Sequence, residues 1–155
     1  MVDAMGGDNA PDEIVKGCIE AVKTKEGFEI ELIGAENEIN RILKKYNFMN
    51  ERIIITNASQ VISNDEKPTE AIRHKKDSSM VIGLNKIREN PGIVFISAGS
   101  TGALLAGTLL IAGRIKGVSR PALAPIVPSL TGGTMIIDAG MNTICRPINY
   151  AQFAI

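Results

Sequence analysis

The stretch Ile93-Val94-Phe95-Ile96 is followed by Ser97-Ala98-Gly99-Ser100-Thr101-Gly102 and then by an apolar run over residues 103–112. Four consecutive apolar residues are typical of a buried strand, and the small residues behind them allow a tight turn. The second apolar run is long enough for a helix. The sequence therefore predicts a strand, a short loop and a helix in succession, which is the repeating unit of an α/β fold.

The loop over residues 97–102 is a candidate anion site. The first amides of a helix lack partners within the helix and lie at the positive end of its dipole, so a phosphate or carboxylate is favoured there. The hydroxyls of Ser97, Ser100 and Thr101 add hydrogen-bond donors, and Gly99 and Gly102 leave the backbone open. The alternative is a helix cap that satisfies only its own helix, the commoner role of a single junction of this kind.

Two further junctions have a similar pattern. Residues 1–11 predict a strand end, a turn at Gly6 and Gly7, and a helix opened by a proline; residues 135–142 predict an apolar strand, an acidic residue and a glycine. In a parallel α/β sheet such loops leave at one edge, where ligands bind. We therefore expect one cleft to be lined by the polar side chains of these loops, namely Asp3, Asp8, Ser97, Thr101, Asp138 and Asn142.

Strands and helices are predicted to alternate along the chain. Helices are predicted at residues 11–23, 36–46, 69–76, 79–88 and 103–112 and from Pro147 onward, and strands at residues 28–33, 52–56, 93–96, 124–127 and 135–137. Strands joined by helices imply a doubly wound, mostly parallel, Rossmann-like sheet with right-handed crossovers. We expect a single α/β domain over residues 1–155.

Composition narrows the function classes. The chain has 155 residues, 45% of them hydrophobic, with 17 basic and 17 acidic side chains and no Trp. This neutral balance and low aromatic content argue against nucleic acid as a partner. Residues 103–112 are too few for the ~20 needed to cross a bilayer. We expect no signal peptide before the first predicted strand. We expect a soluble, cytoplasmic protein.

The two cysteines and the single histidine offer little conventional chemistry. Cys18 and Cys145 have neither metal-ligand nor redox spacing, and Cys18 shares an apolar helical stripe, which favours a core position. Cys145 follows the third loop beside Arg146, so a nucleophilic thiol and a small loop residue are both open, with the second favoured. Any pairing of serine or cysteine with histidine would depend on His74 alone.

Four separated motifs resemble the bacterial acyl-carrier-protein:phosphate acyltransferase (PlsX) family. They are residues 2–11, residues 67–80 with the basic run Arg73 to Lys76, the loop over residues 97–103, and Asp138-Ala139-Gly140 followed by Asn142. The resemblance covers essentially the whole chain, which corresponds to the first half of the family chain. It implies a truncated Rossmann-like fold of the isocitrate/isopropylmalate dehydrogenase-like or phosphotransacetylase-like type.

The resemblance also implies a reaction and its partners. Inorganic phosphate attacks a fatty acyl thioester of acyl carrier protein, giving acyl phosphate for phospholipid synthesis and the free carrier protein. The resemblance implies a cytoplasmic homodimer. It also implies peripheral association with the inner membrane face or with the acyltransferase that acts next in phospholipid synthesis. No cofactor is implied.

Site residues follow from the resemblance and from the needs of that reaction. Phosphate is already a nucleophile, so the protein must hold it, align it and stabilise an oxyanion. The candidates for catalysis are Asp3, Lys76, Ser97, Asp138 and Asn142. The candidates for phosphate or substrate binding are Gly6, Gly7, Asp8, Ser79, Gly99, Ser100, Thr101 and Gly102. The aspartates could orient donors, bind a cation or accept a proton, and no metal site is assigned.

Some positions depart from the family pattern, and other functions stay open. Ser100 stands where the family has Asn, Met141 where it has a small residue, and Ile144 where it has an aspartate. The loss of that carboxylate makes competence for catalysis an open question. The rival functions are a phosphate acetyltransferase-like enzyme acting on coenzyme A thioesters and an inactive anion-binding fragment. A nicotinamide-dependent dehydrogenase is disfavoured because the glycine fingerprint for the dinucleotide is missing.

Overall fold

The computed structural model describes residues 1–90 and 92–154, and the chain divides into two units, Met1–Ala112 and Gly113–Ile155. The first unit contains the parallel sheet and most of the helices. The second contains an antiparallel hairpin and one helix. A single domain spanning both units stays a prediction.

The sheet of the first unit is parallel. Its strands are β1 (Val2–Asp3), β2 (Ile30–Gly34) and β3 (Ile53–Asn57), in the order β1-β2-β3. Val2 lies opposite Leu32, and Ile30 lies opposite Ile53. Because all three strands run in the same direction, their carboxyl ends meet at one edge, as the sequence predicts.

Helices connect and cover these strands. They are α1 (Asp12–Thr24), α2 (Glu36–Lys45), α3 (Pro68–His74), α4 (Ser79–Glu89) and α5 (Thr101–Gly107). Each lies within a few residues of its predicted position. The last one differs in kind, since the predicted helix over residues 103–112 begins two residues earlier and continues from Thr108–Ala112 as a π-helix.

Two hydrophobic clusters hold the first unit together. One joins α1 and α2 to the sheet and contains Ala4, Val15, Cys18, Ile19, Val22, Ile30, Leu32, Ile39 and Ile42. The other lies among α3, α4 and α5 and contains Ile62, Ala71, Ile72, Met80, Val81, Leu84, Ala103 and Ala106. The sequence prediction that Cys18 is a core residue is thereby confirmed. Burial of its thiol raises the pKa of Cys18 to about 11, so this cysteine is protonated at neutral pH.

An ion pair anchors α4 to the sheet face opposite the first cluster. Successive strand side chains alternate between faces, so Glu31 points away from Ile30 and Leu32. Its carboxylate accepts hydrogen bonds from Lys86 of α4 and from Thr56 of β3. Burial acts to raise the pKa of Glu31, but these bonds outweigh it and hold that pKa below its usual range. Helices therefore cover both faces of the sheet, which confirms the α/β class.

The predicted buried strand at residues 93–96 needs correction. Among the residues that the structure describes, this segment forms a single parallel bridge, between Val2 and Ile96, and the amide of Asp3 donates to the carbonyl of Ile96 at 2.9 Å. Phe95 lies against Gly83 of α4, whereas Val94 and Ile96, on the other face, are 70% and 60% exposed. The segment was predicted to be buried because all four residues are apolar, but within this unit only one of its faces is covered.

The second unit contains β4 (Ile126–Ser129), β5 (Gly132–Met135) and α6 (Pro147–Phe153). The short strand predicted near residues 124–127 is displaced to β4, and the helix predicted from Pro147 is confirmed. The prediction of a strand at residues 135–137 is wrong, because β5 ends at Met135 and pairs antiparallel with β4. The chain reverses after Ser129, where Gly132 takes the positive φ of 136° that favours glycine.

Within the described ranges, no helix combines the length and apolar character that crossing a bilayer would require.

Candidate functional site

A hydrogen bond links the first strand to the loop at residues 97–102. The Ser97 hydroxyl donates to Asp3 Oδ2 at 2.7 Å, and the Gly99 amide donates to Ser97 Oγ at 3.1 Å. Asp3 is only 2% exposed, and its other carboxylate oxygen accepts the Met5 amide at 3.1 Å. Two residues 94 positions apart are therefore joined at the carboxyl edge of the sheet.

The glycine turn after β1 packs directly on this link. A Cβ atom at Gly6 would lie 2.6 Å from Asp3 Oδ2, 2.8 Å from the Gly99 nitrogen and 2.9 Å from Ser97 Oγ. No side chain fits at such distances. Gly7 has a φ of 110°, a backbone conformation that favours glycine. The structure thus brings together four of the predicted site residues, namely Asp3, Gly6, Ser97 and Gly99.

The hydroxyls of the loop have different partners. Ser100 caps α5, accepting the Ala103 amide at 3.3 Å, so the capping alternative holds for this residue. Ser97 is engaged by Asp3, as described above. Thr101, the first residue of α5, is exposed. Among the residues that the structure describes, the amides of Thr101 and Gly102 have no hydrogen-bond partner. These amides and one hydroxyl are therefore available to a ligand.

The first residues of helices α3 and α4 lie beside this loop. A Cβ atom at Gly99 would lie 3.5 Å from Met80 Cε, and one at Gly102 would lie 2.9 Å from Pro68 Cγ. Pro68 and Met80 both belong to the motif of residues 67–80, but neither was predicted as a site residue. Their role in closing one side of the loop depends on how the helices pack.

The predicted residues of the α3–α4 turn differ in exposure. Lys76 is exposed and donates to the Ile72 carbonyl at 3.3 Å, whereas Ser79 is 3% exposed. Ser78 caps α4 by accepting the Val81 amide at 3.4 Å.

Asp77 accepts hydrogen bonds from the hydroxyl and the amide of Ser59, and these hold the pKa of its carboxyl below the usual range. Asp77 therefore anchors the segment after β3.

Asp138 organises a loop of the second unit. It accepts the amides of Leu123 at 2.9 Å, Met141 at 3.2 Å and Asn142 at 2.7 Å. The Asn142 side-chain amide donates both to Asp138 Oδ2 at 3.0 Å and to the Pro121 carbonyl at 2.9 Å. Burial acts to raise the pKa of Asp138, but these donors outweigh it and hold that pKa below its ordinary value. A carboxylate is thus the stable form.

Asp8 and Cys145 take no part in the hydrogen bonds described above. Asp8 is exposed in the turn that leads to α1, and Cys145 is partly buried as a free thiol. Over residues 1–90 and 92–154, no cluster of three or more histidine, cysteine, aspartate or glutamate side chains has the geometry to hold a metal ion.

Comparison with known proteins gives a consistent result over the whole chain. The family model described as fatty acid synthesis protein matches residues 1–155. A phosphate acyltransferase of Acetivibrio thermocellus is 55% identical over 155 residues. Proteins of the same name from Halothermothrix orenii and Thermoanaerobacter pseudethanolicus are 48% and 51% identical. The alignments cover 99–100% of this chain but only 45–46% of those relatives, so the chain spans about half their length.

Proposed function

We propose, because this chain belongs to the fatty acid synthesis protein (PlsX) family, that the complete natural protein containing it is a phosphate acyltransferase. It transfers a fatty acyl group from the thioester of acyl carrier protein to inorganic phosphate. The observation that carries the proposal is the contact between the Gly6 turn and the loop at residues 97–102, where amides and a hydroxyl remain open beside a helix start.

The proposed reaction needs positioning more than covalent chemistry. A phosphate oxygen forms a bond to the thioester carbonyl carbon, the carbon–sulfur bond breaks, and the leaving thiolate of the carrier protein takes up a proton. Groups of the loop, with Gly102 and Thr101, would hold the phosphate charge, and Lys76 and Ser79 would approach it from the α3–α4 turn. Amides of the Gly6-Gly7 turn would face the oxyanion that forms on the carbonyl.

From the family resemblance, Asn142 is also proposed as an oxyanion donor and Asp138 as a catalytic residue. Within the second unit, Asp138 orients the Asn142 side chain through a hydrogen bond of 3.0 Å. Asp8, exposed at the rim of the glycine turn, is proposed to orient substrate or a donor group.

We further propose the assembly and setting that accompany this activity. The sheet is taken to be part of a Rossmann-like fold, and the protein to act as a cytoplasmic homodimer. Peripheral association with the inner membrane face, or with the acyltransferase that consumes acyl phosphate, fits an apolar acyl chain that must be handed onward. These statements rest on family membership.

The decisive experiment follows the acyl group. The complete natural protein is mixed with labelled acyl thioester of carrier protein and inorganic phosphate, quenched during turnover and analysed by mass spectrometry. We expect acyl phosphate to form without a protein-bound acyl group, and Cys145→Ser to retain most of the activity. A stoichiometric adduct on Cys145 or on any hydroxyl would contradict direct attack. Preference for acetyl-coenzyme A over the carrier-protein thioester would favour the phosphate acetyltransferase-like rival. Absence of turnover with either thioester would favour the anion-binding rival.

Thr101→Val tests the phosphate contact itself. Losing one hydroxyl donor at unchanged volume is expected to weaken phosphate binding by about fivefold to tenfold, near 1 kcal/mol. Titration with inorganic phosphate, followed through hydrogen exchange of residues 97–102, gives the dissociation constant. Thr24→Val is the matched control, because the Thr24 hydroxyl bonds only within α1, to Glu20 at 2.8 Å and Ala21 at 3.5 Å. Equal binding by both variants would remove Thr101 from the site.

A further inference from the structure

We infer that the Asp3 carboxylate and the Ser97 hydroxyl form a positioning pair, which fixes the loop at residues 97–102 while neither side chain contacts phosphate. The inference deepens the proposed function and rests on it. It separates residues that shape the phosphate site from those that touch the ligand.

The first observation concerns the hydrogen bonds of Ser97. A serine hydroxyl has one hydrogen to donate. Ser97 directs it to Asp3 Oδ2 at 2.7 Å, and its oxygen accepts the Gly99 amide at 3.1 Å. Asp3 is 2% exposed, so water has little access to its carboxylate. Besides Ser97, the carboxylate accepts the Met5 amide at 3.1 Å. Releasing the hydroxyl to phosphate would leave a buried carboxylate short of a partner.

The second observation concerns space. A Cβ atom at Gly6 would lie within 2.9 Å of Ser97 Oγ, within 2.6 Å of Asp3 Oδ2 and within 2.8 Å of the Gly99 nitrogen. The backbone of Gly6 therefore fills the region beside both side chains. That Cβ position is only ~1.5 Å from the Gly6 Cα atom, so a phosphate oxygen cannot occupy it, and approach from this side is closed.

The third observation concerns charge. A phosphate bound to Ser97 Oγ would lie close to a carboxylate whose oxygen is only 2.7 Å from the same hydroxyl. Like charges at such a separation repel strongly in a partly buried site. The three observations agree that Asp3 and Ser97 act through the loop, as positioning residues.

A double-variant cycle tests the pair through phosphate affinity. Calorimetric titration of the complete natural protein with inorganic phosphate is compared for Asp3→Asn, Ser97→Ala and the double variant. If the two side chains act as one unit, each single change weakens binding by about tenfold and the double change weakens it by about the same factor. If Ser97 instead contacts phosphate on its own, the two losses multiply to about a hundredfold. That result would overturn the inference.

Hydrogen exchange provides a second readout. Ser97→Ala removes the acceptor of the Gly99 amide, so protection at Gly99 is expected to fall together with phosphate affinity, whereas Ser97→Thr keeps the hydroxyl and retains both. If Asp3→Asn fails to fold, the comparison of Ser97→Ala with Ser97→Thr tests the positioning role without the double-variant cycle. Ser63→Ala, at an exposed loop position, is the control. Loss of affinity in Ser97→Ala with unchanged Gly99 protection would contradict the positioning role.

The outcomes for the two proposals can be told apart. If the wild-type protein binds phosphate but forms no acyl phosphate, the proposed function fails while the cycle still reports on the pair. If the wild-type protein binds no phosphate at all, the inference fails as well. Formation of acyl phosphate with multiplicative losses would leave the proposed function standing and refute only the positioning pair.

Discussion

Gly6→Ala is expected to abolish measurable phosphate binding and to destabilise the first unit. The added methyl carbon would meet Asp3 Oδ2 at 2.6 Å, the Gly99 nitrogen at 2.8 Å and Ser97 Oγ at 2.9 Å. Two of these atoms are held by a buried hydrogen bond and one belongs to the backbone, so the turn and the loop must separate. Overpacking of this kind typically costs about 1–3 kcal/mol. Urea unfolding measures the stability, and titration with inorganic phosphate measures the binding.

Gly17→Ala is the matched control for that experiment. Gly17 lies in α1, and a Cβ atom there would meet nothing within 4 Å. Alanine at an open helical position is expected to raise the free energy of unfolding by up to about 1 kcal/mol and to leave phosphate affinity unchanged. A Gly6→Ala protein with wild-type stability and wild-type affinity would refute the tight packing of the turn on the loop.

Asp138→Ala is expected to disorder the loop that carries Asn142. The substitution removes the acceptor of three backbone amides and of the Asn142 side chain. Allowing for solvent screening of this partly exposed carboxylate, the loss of local stability is about 1–2 kcal/mol. In the proposed reaction, losing a correctly placed oxyanion donor costs roughly 10²–10³ in rate. Hydrogen exchange at Met141 and Asn142 reports the stability, and acyl phosphate formation reports the rate.

The charge of Asp138 adds a pH dependence with a definite sign. The hydrogen bonds hold the folded pKa of Asp138 below its ordinary value. Its stabilising contribution is therefore fully present above the ordinary aspartate pKa, ~3.9, and disappears as the pH falls through the lower folded pKa. Asp138→Asn should be less stable than wild type at neutral pH and approach it in acid. Asp65→Asn, in an exposed turn, is the control, and equal pH profiles for wild type and Asp138→Asn would contradict the assignment.

Local patterns in the sequence were sufficient to predict most helices. The predicted apolar stripe of α1 contains Ile14, Val15, Cys18, Ile19 and Val22, and the structure buries all of these except Ile14, which is half-buried. Helix α4 begins at Ser79 as predicted, and the structure shows Ser78 as its N-cap. Such signals depend on neighbours three or four residues away, so a single sequence contains them.

Strand assignments depended on partners that local patterns do not identify. Residues 93–96 are as apolar as β3, yet they form one bridge, and the apolar residues before Asp138 belong to the region after an antiparallel hairpin. Whether an apolar run pairs in parallel, pairs antiparallel or stays at an edge is decided by distant segments. The expectation that Asp138 follows a strand of the parallel sheet was wrong for this reason.

The candidate site divides in the same way. The amino-acid sequence alone predicts the residue types and their order, as in the glycine turn that follows Asp3 and the hydroxyls that precede α5. Which of those groups are engaged depends on the packed fold, which joins Asp3 to Ser97 across 94 positions and uses Ser100 as the helix cap. A motif specifies which hydrogen-bonding groups a loop has, but their partners depend on how close the folded backbone brings them, and at Gly6 that approach leaves no room for a side chain.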